Sequence, residues 1–181
     1  MGLRNRYLYT EYNIFFITTT CYNWYKLLSV HNNMNLIAEN LKYYAQKYEL
    51  SILAYVIMPN HIHMILNFKR GSDRIAFMRD FKKFTSTQIR KEIELHEPEM
   101  LKKLFYSKGK QKFKIWQDRF DELFIISQDL FETKMQYIHN NPIQEHWSLV
   151  EEPEDYLYSS ASFYNREEEN ILPLVHYKDV F

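Results

Sequence analysis

The chain has 181 residues, 25% of them charged and 17% aromatic, and its 23 basic and 23 acidic residues cancel to a formal net charge of zero. That length suits one domain with a sizeable core, which we read over residues 1–160 with a C-terminal tail at 161–181. The single cysteine, Cys21, excludes an internal disulfide, and no apolar run approaches the ~20 residues of a membrane span.

The first six residues, Met1-Gly2-Leu3-Arg4-Asn5-Arg6, lack the apolar region of a secretory signal, and Arg6 stands where the myristoylation pattern needs Ser or Thr, so a cytoplasmic protein is the default expectation. Asn13 to Thr20 is rich in β-branched and aromatic residues and predicts a first strand. Val30 to Tyr48 spaces Met34, Ile37, Ala38, Leu41, Tyr44, Ala45 and Tyr48 along one helical stripe. A second strand follows at Ser51 to Ile57. Met58-Pro59-Asn60 supplies a turn, and His61 to Phe68 returns as a third strand.

Strand side chains alternate, so His61 and His63 share a face that excludes Ile62 and Met64. Two neutral imidazoles on one side of a sheet can hold a metal ion. Any strand with two histidines satisfies the same spacing without a metal, so the pair needs partners before it becomes a site. Its apolar flanks supply one argument: polar groups set among core residues must find ligands.

Ser72 to about Leu95 predicts the next helix, with Ile75, Phe77, Met78, Phe81, Phe84, Thr85 and Ile89 inward and Arg79, Lys82, Lys83, Arg90 and Lys91 outward. From Lys69 to Arg119 the chain carries fifteen basic residues against seven acidic ones. The compensating acid lies largely late, at Glu151, Glu152, Glu154, Asp155 and Glu167 to Glu169. The middle of the chain can therefore offer a polyanion a basic face, formed from Lys69, Arg79, Lys82, Lys83, Arg90, Lys112, Lys114 and Arg119, although a solvated helix face accounts for part of the same pattern. Glu97 to Lys114, around Gly109, is polar and irregular and predicts a mobile connection. Ile115 to Arg119 predicts a fourth strand, with Trp116 assigned to the core.

Ser127 to Asn140 predicts a helix capped by Ser127, with Asp129 in its first turn and Pro142 as its stop. Tyr137 and Asn141, four apart, share a face if the last turn persists. Fifteen tyrosines in the chain make a chance pairing with some asparagine equally easy.

Four ordered blocks go further than any of these patterns alone. Met58-Pro59-Asn60-His61-Ile62-His63, Ile115-Trp116-Gln117-Asp118-Arg119-Phe120, Tyr137-Ile138-His139-Asn140-Asn141-Pro142 and Asp155-Tyr156-Leu157-Tyr158-Ser159-Ser160 together resemble the single-tyrosine HUH transposases, the REP-associated group in particular. The resemblance runs from about Asn13 to Ser160. It implies an α+β, ferredoxin-like fold: an antiparallel sheet with helices packed on one face, the histidine pair on a central strand and the tyrosine helix lying across it. It also implies that His61, His63 and Asn141 hold a divalent ion, Mg2+ or Mn2+, and that Tyr137 is the nucleophile; Gln136 and Asn140 are the neighbours to consider if the helix register shifts. Thr133, Lys134, Asn140 and Asn141 leave no second tyrosine one turn away, so the two-tyrosine replication initiators do not fit.

The implied substrate is single-stranded DNA with a hairpin, cleaved and rejoined through a 5′-phosphotyrosine, with no membrane partner and with monomer and homodimer both open. Two other classes share parts of the pattern. A catalytically silent hairpin-binding module would keep the fold and the basic face, and a barrel-type His-x-His hydrolase would need the ~250 residues usual for that architecture.

Overall fold

The computed structural model describes residues 12–108 and 111–181. The N-terminal hexapeptide and Gly109 lie outside the described residues.

The sheet begins with β1 (Ile14–Thr20), and α1 (Asn33–Lys47) crosses back to β2 (Leu50–Met58). The Pro59-Asn60 turn leads into β3 (His61–Phe68), and α2 (Asp73–His96) then carries the chain to the far edge. The expected strand Ile115–Arg119 does not form. Ile115 and Trp116 are buried, and Trp116 makes a single bridge to Cys21, with its Nε1 donating to Thr85 Oγ1 at 3.1 Å. The fourth strand is instead β6 (Asp121–Phe124), antiparallel to β1. Between them the segment expected to be irregular holds a short helix, α3 (Pro98–Lys103), and a hairpin of β4 (Phe105–Lys108) and β5 (Gln111–Phe113).

The sheet order β2-β3-β1-β6, with α1 and α2 as the crossovers, is the split βαβ arrangement of ferredoxin-like folds. The alternation along β3 divides the interior in two. Ile62, Met64 and Leu66 face α1 and α2, among Ile37, Leu41, Phe77, Phe81 and Phe15. Of the residues expected inward on α2, Ile75 and Phe84 are instead 41% and 50% exposed. Helices are not confined to one face: α4 (Gln128–His139) lies across the opposite side, where Phe131 and Ile138 bury against Leu53, Val56, Met58 and Ile65.

Arg74 on α2 is fully buried and pairs with the equally buried Glu122 of β6 at 3.1 Å, its guanidinium lying 4.4 Å from the Phe15 ring centroid. This pair explains how so short and polar a strand can close the sheet. The Nη1 of Arg74 also donates to the carbonyl of Gly71 at 2.6 Å. Gly71 has no tolerance for a side chain, since a Cβ there would stand 1.8 Å from the Tyr12 carbonyl oxygen.

The late Asp155–Ser160 block runs along the free edge of β2, with Ile57 N–H donating to Tyr158 O (2.9 Å) and Ser160 N–H to Tyr55 O (3.0 Å). Further on, Val175 N–H donates to Ile52 O at 3.1 Å, and the Tyr177 ring stacks on Phe131 at 4.7 Å. The tail thus packs on the β2 edge and against α4. No helix among the described residues is long and apolar enough to cross a membrane.

Candidate active site

The antiparallel register sets Thr20 opposite His61, Thr18 opposite His63 and Phe16 opposite Ile65, so these residues share the face that α4 crosses. The result is a cleft of about 730 Å³ lined by that face of β1 and β3, by Lys134, Tyr137 and Asn141, and by Trp24 and Trp147 from two loops.

The hydrogen bonds fix both imidazoles. Asn60 Nδ2 donates to the Trp24 carbonyl at 3.1 Å, which turns Asn60 Oδ1 toward His61 Nδ1, 2.6 Å away. His61 must therefore donate through Nδ1, and in a neutral ring Nε2 carries a bare lone pair. Asn141 Nδ2 donates to the Tyr137 carbonyl at 3.1 Å, so Asn141 Oδ1 is the atom that faces His61 Nε2, at 3.2 Å. Burial is the main cause of a His61 pKa pushed down to about 4, with the Asn141 contact opposing and the nearby His146 adding to the fall. The ring is thus neutral at pH 7, and two lone pairs point at each other. A cation between them removes the conflict, and ~3.0 Å is the spacing of adjacent ligands around an octahedral ion with ~2.1 Å bonds.

His63 is held in the same manner. Its Nδ1 lies 2.7 Å from Thr18 Oγ1, its ring stacks on Phe16 with centroids 5.4 Å apart, and burial followed by the charges of His61 and Lys134 pushes its pKa down to about 3. With Nδ1 engaged by the threonine, Nε2 is the nitrogen left for a ligand. The two histidine rings lie 4.6 Å apart.

Tyr137 stands beside them, its ring centroid 5.1 Å from that of His63, with 45% of the residue exposed to the cleft and solvent. Its helix is anchored at both ends: Ser127 Oγ accepts from Leu130 N–H, and His139 Nε2 lies 2.8 Å from Ser160 Oγ. Of the three amides at the end of this helix, Gln136 and Asn140 are exposed, whereas Asn141 is 3% exposed and faces His61.

Sequence reasoning missed several cleft residues. Lys134 places Nζ 5.3 Å from the Phe16 ring and 5.9 Å from that of Tyr137; its position one turn before Tyr137 on a helix was a usable signal. Trp24, Trp147 and His146 come from loops, where periodicity says nothing.

The eight expected DNA-contacting cations do not form one surface. Lys83, Arg90 and Lys112 line a shared groove with Ser86 and Thr87. Lys82 instead donates to the carbonyls of Gln117 (2.6 Å) and Arg119 (3.3 Å), while Lys114 is 8% exposed, pairs with Asp118 at 2.9 Å and lies over the Tyr22 and Tyr106 rings. Lys69 pairs with Glu49 and Arg79 with Asp80, and Arg119 is exposed.

A second group able to hold an ion, His31, Glu92 and His96, shares no residue with the cleft. Its two rings stack 3.7 Å apart at 12°, so their in-plane lone pairs run side by side, and His31 Nδ1 already meets Glu92 Oε2 at 2.9 Å.

The sequence model of the family described as "Transposase IS200 like" matches residues 10–141. The chain belongs to the IS200-like transposase family. A Haemophilus influenzae protein named "Putative REP-associated tyrosine transposase" is 29% identical to this family member over 119 residues, 64% of this chain and 61% of that protein, so the match spans less than two thirds of the relative's length. A solved structure of a REP-associated tyrosine transposase bound to a REP hairpin superposes with a TM-score of 0.66 at 22% identity, covering 97% of this chain and 92% of the other. At that identity the likeness establishes a shared fold. This family member therefore carries its histidine pair, Asn141 and Tyr137 within a fold shared with a hairpin-bound transposase.

Proposed function

We propose that this transposase-family protein cleaves and rejoins single-stranded or hairpin DNA, with Tyr137 as nucleophile and His61, His63 and Asn141 holding a divalent ion. The observation that carries the reading is the opposition of His61 Nε2 and Asn141 Oδ1 lone pairs at 3.2 Å, in a cleft that also presents Tyr137.

A phenol, with an ordinary pKa of ~10, is a weak nucleophile at neutral pH and needs its target phosphate polarised and aligned. A bound Mg2+ or Mn2+ would supply that polarisation and offset the charge that develops on the phosphate oxygens. The chain's own residues do the rest. Asn60 holds His61 in the metal-binding tautomer and Thr18 orients the His63 ring, while α4 and the turn that follows it would set Tyr137 and Asn141 on one side of the scissile phosphate. Lys134 adds a positive charge beside the tyrosine ring, in the cleft where the phosphate would lie. The attack joins Tyr137 Oη to the 5′-phosphate and breaks the bond from that phosphorus to the 3′-oxygen, which departs as a 3′-OH with the proton given up by the phenol. Attack by another 3′-OH returns the phosphate and frees the tyrosine, so no nucleotide energy is consumed.

The test is incubation with a labelled DNA hairpin bearing a single-stranded flank, with manganese or with chelator. A denaturation-resistant protein–DNA adduct that requires the ion supports the enzyme; a salt-sensitive complex with no adduct means a silent hairpin-binding module. Manganese binding followed by calorimetry is expected to disappear in His61→Ala and His63→Ala and to survive the double change His31→Ala, His96→Ala. The reverse result would move the ion to the helix cluster.

The groove formed by Lys83, Lys112 and Arg90, the last also paired with Glu94 at 2.6 Å, is a candidate track for backbone phosphates. Replacing all three by Ala is expected to weaken hairpin binding at low salt and to flatten the log–log salt dependence by ~0.7 for each single-strand phosphate that no longer meets a cation. An unchanged slope would place the DNA on another surface.

A further inference from the structure

Trp24 is a large apolar residue left 61% exposed, and its backbone is unusual: Asn23 and Trp24 take φ of 50° and 58°, the left-handed region that side chains rarely adopt. The turn is tied down regardless. Trp24 N–H donates to the Cys21 carbonyl (3.1 Å), Cys21 N–H to the Asn60 carbonyl (2.8 Å), and the Trp24 carbonyl accepts from Asn60 Nδ2. These bonds hold the Trp24 backbone beside Asn60, the residue before His61, and the Trp24 side chain lines the cleft. A single exposed indole is ordinary on a protein surface; one that shares a cleft with a second tryptophan and two histidines is an apolar face open to a ligand.

The surroundings say which ligand. Trp147 lines the same cleft, its ring centroid 6.1 Å from that of His61, and the exposed Lys26 places Nζ 5.2 Å over it. Lys134 stands likewise over Phe16. Aromatic faces interleaved with ammonium groups match unpaired nucleic acid, whose bases offer flat faces and whose phosphates offer charge. A duplex cannot use such a site, because its base faces are already stacked on one another.

We propose that Trp24 is a base-stacking platform: it receives one unpaired nucleobase adjoining the phosphate presented to His61, His63 and Asn141, with Lys26 pairing to a neighbouring phosphate. The inference rests on the strand-transfer reading above and adds the subsite that positions the strand. Because stacking is tolerant of base identity, the platform fixes the position of the flank rather than its sequence.

The test uses the full chain in a Tyr137→Phe background, so that binding is measured without covalent capture. A fluorescent DNA hairpin with a single-stranded flank is scanned with one abasic residue at each flank position. One position is expected to stand out, losing roughly 5- to 100-fold in affinity. Trp24→Ala should lose a similar factor on intact DNA and then be indifferent to that abasic residue, while Trp24→Phe keeps most of the affinity. If every abasic position costs the same in Trp24→Ala as in the Trp24 protein, or if none costs anything, the platform is refuted. That result is separable from the parent reading: a manganese-dependent adduct from the wild-type chain with no Trp24 coupling leaves strand transfer standing. No binding of single-stranded flank at all removes both, and leaves the exposed indole to a protein partner.

Discussion

Changing Tyr137 to Phe is expected to lower covalent adduct formation by on the order of 10⁴-fold or more, the scale on which loss of a covalent nucleophile is felt, while hairpin affinity changes by no more than about twofold. The asymmetry follows from the geometry. The ring that packs edge-on against His63 and Phe16 is retained, and only the hydroxyl is removed. Two described tyrosines packed against the same core as α4 are poor substitutes. Tyr156 donates its hydroxyl to the Ile57 carbonyl and Tyr164 to that of Leu53, and burial drives both pKa values well above the usual phenol range. Mass spectrometry of the adduct provides the check, since a labelled peptide containing any other tyrosine would displace Tyr137 from its role.

The largest effect on stability is expected at the Arg74–Glu122 pair. Both side chains are fully buried, and truncation of either takes from the other the opposite charge it meets at 3.1 Å inside the protein. Glu122→Ala should cost about 3–5 kcal/mol, which for a domain of this size lowers Tm by roughly 6–20 °C. Arg74→Met together with Glu122→Leu removes both charges and should recover most of the loss, because the desolvation cost disappears with the pair. The single and double variants, followed by thermal unfolding, form a cycle. An additive double variant would show that the two residues stabilise the sheet separately and that β6 does not depend on their pairing.

How much of this is readable before folding depends on the distance over which each signal acts. The third strand is legible because its alternation lies within eight residues, from His61 to Phe68, and its observed bounds are those expected. The tyrosine helix is legible because a Ser cap and an Asn-Pro stop are local chemistry, and Ser127 does accept the Leu130 amide. The fourth strand falls elsewhere than expected for a physical reason. Ile115 and Trp116 have the composition of a strand and the burial of one, yet lie in a loop, whereas Asp121–Phe124 begins with two acids, one of which is buried against Arg74, forty-eight residues before Glu122. Long cationic side chains raise a similar difficulty. Lys82 and Lys114 are as basic in sequence as Lys83 and Lys112, but loop carbonyls and two tyrosine rings draw them inward.

The sequence by itself determined that two imidazoles share one strand face and that Tyr137 lies near the end of a Ser-capped helix, because strand alternation and helix capping are local; Asn141, two residues past the end of that helix, was not placed by periodicity. Only the tertiary structure decided that α4 lies on the histidine side of the sheet, that Asn60 and Asn141 orient their amides so that two lone pairs meet, and that Trp24 stands exposed beside them. Those outcomes depend on hydrogen bonds and burial between segments up to eighty residues apart, which no local pattern encodes.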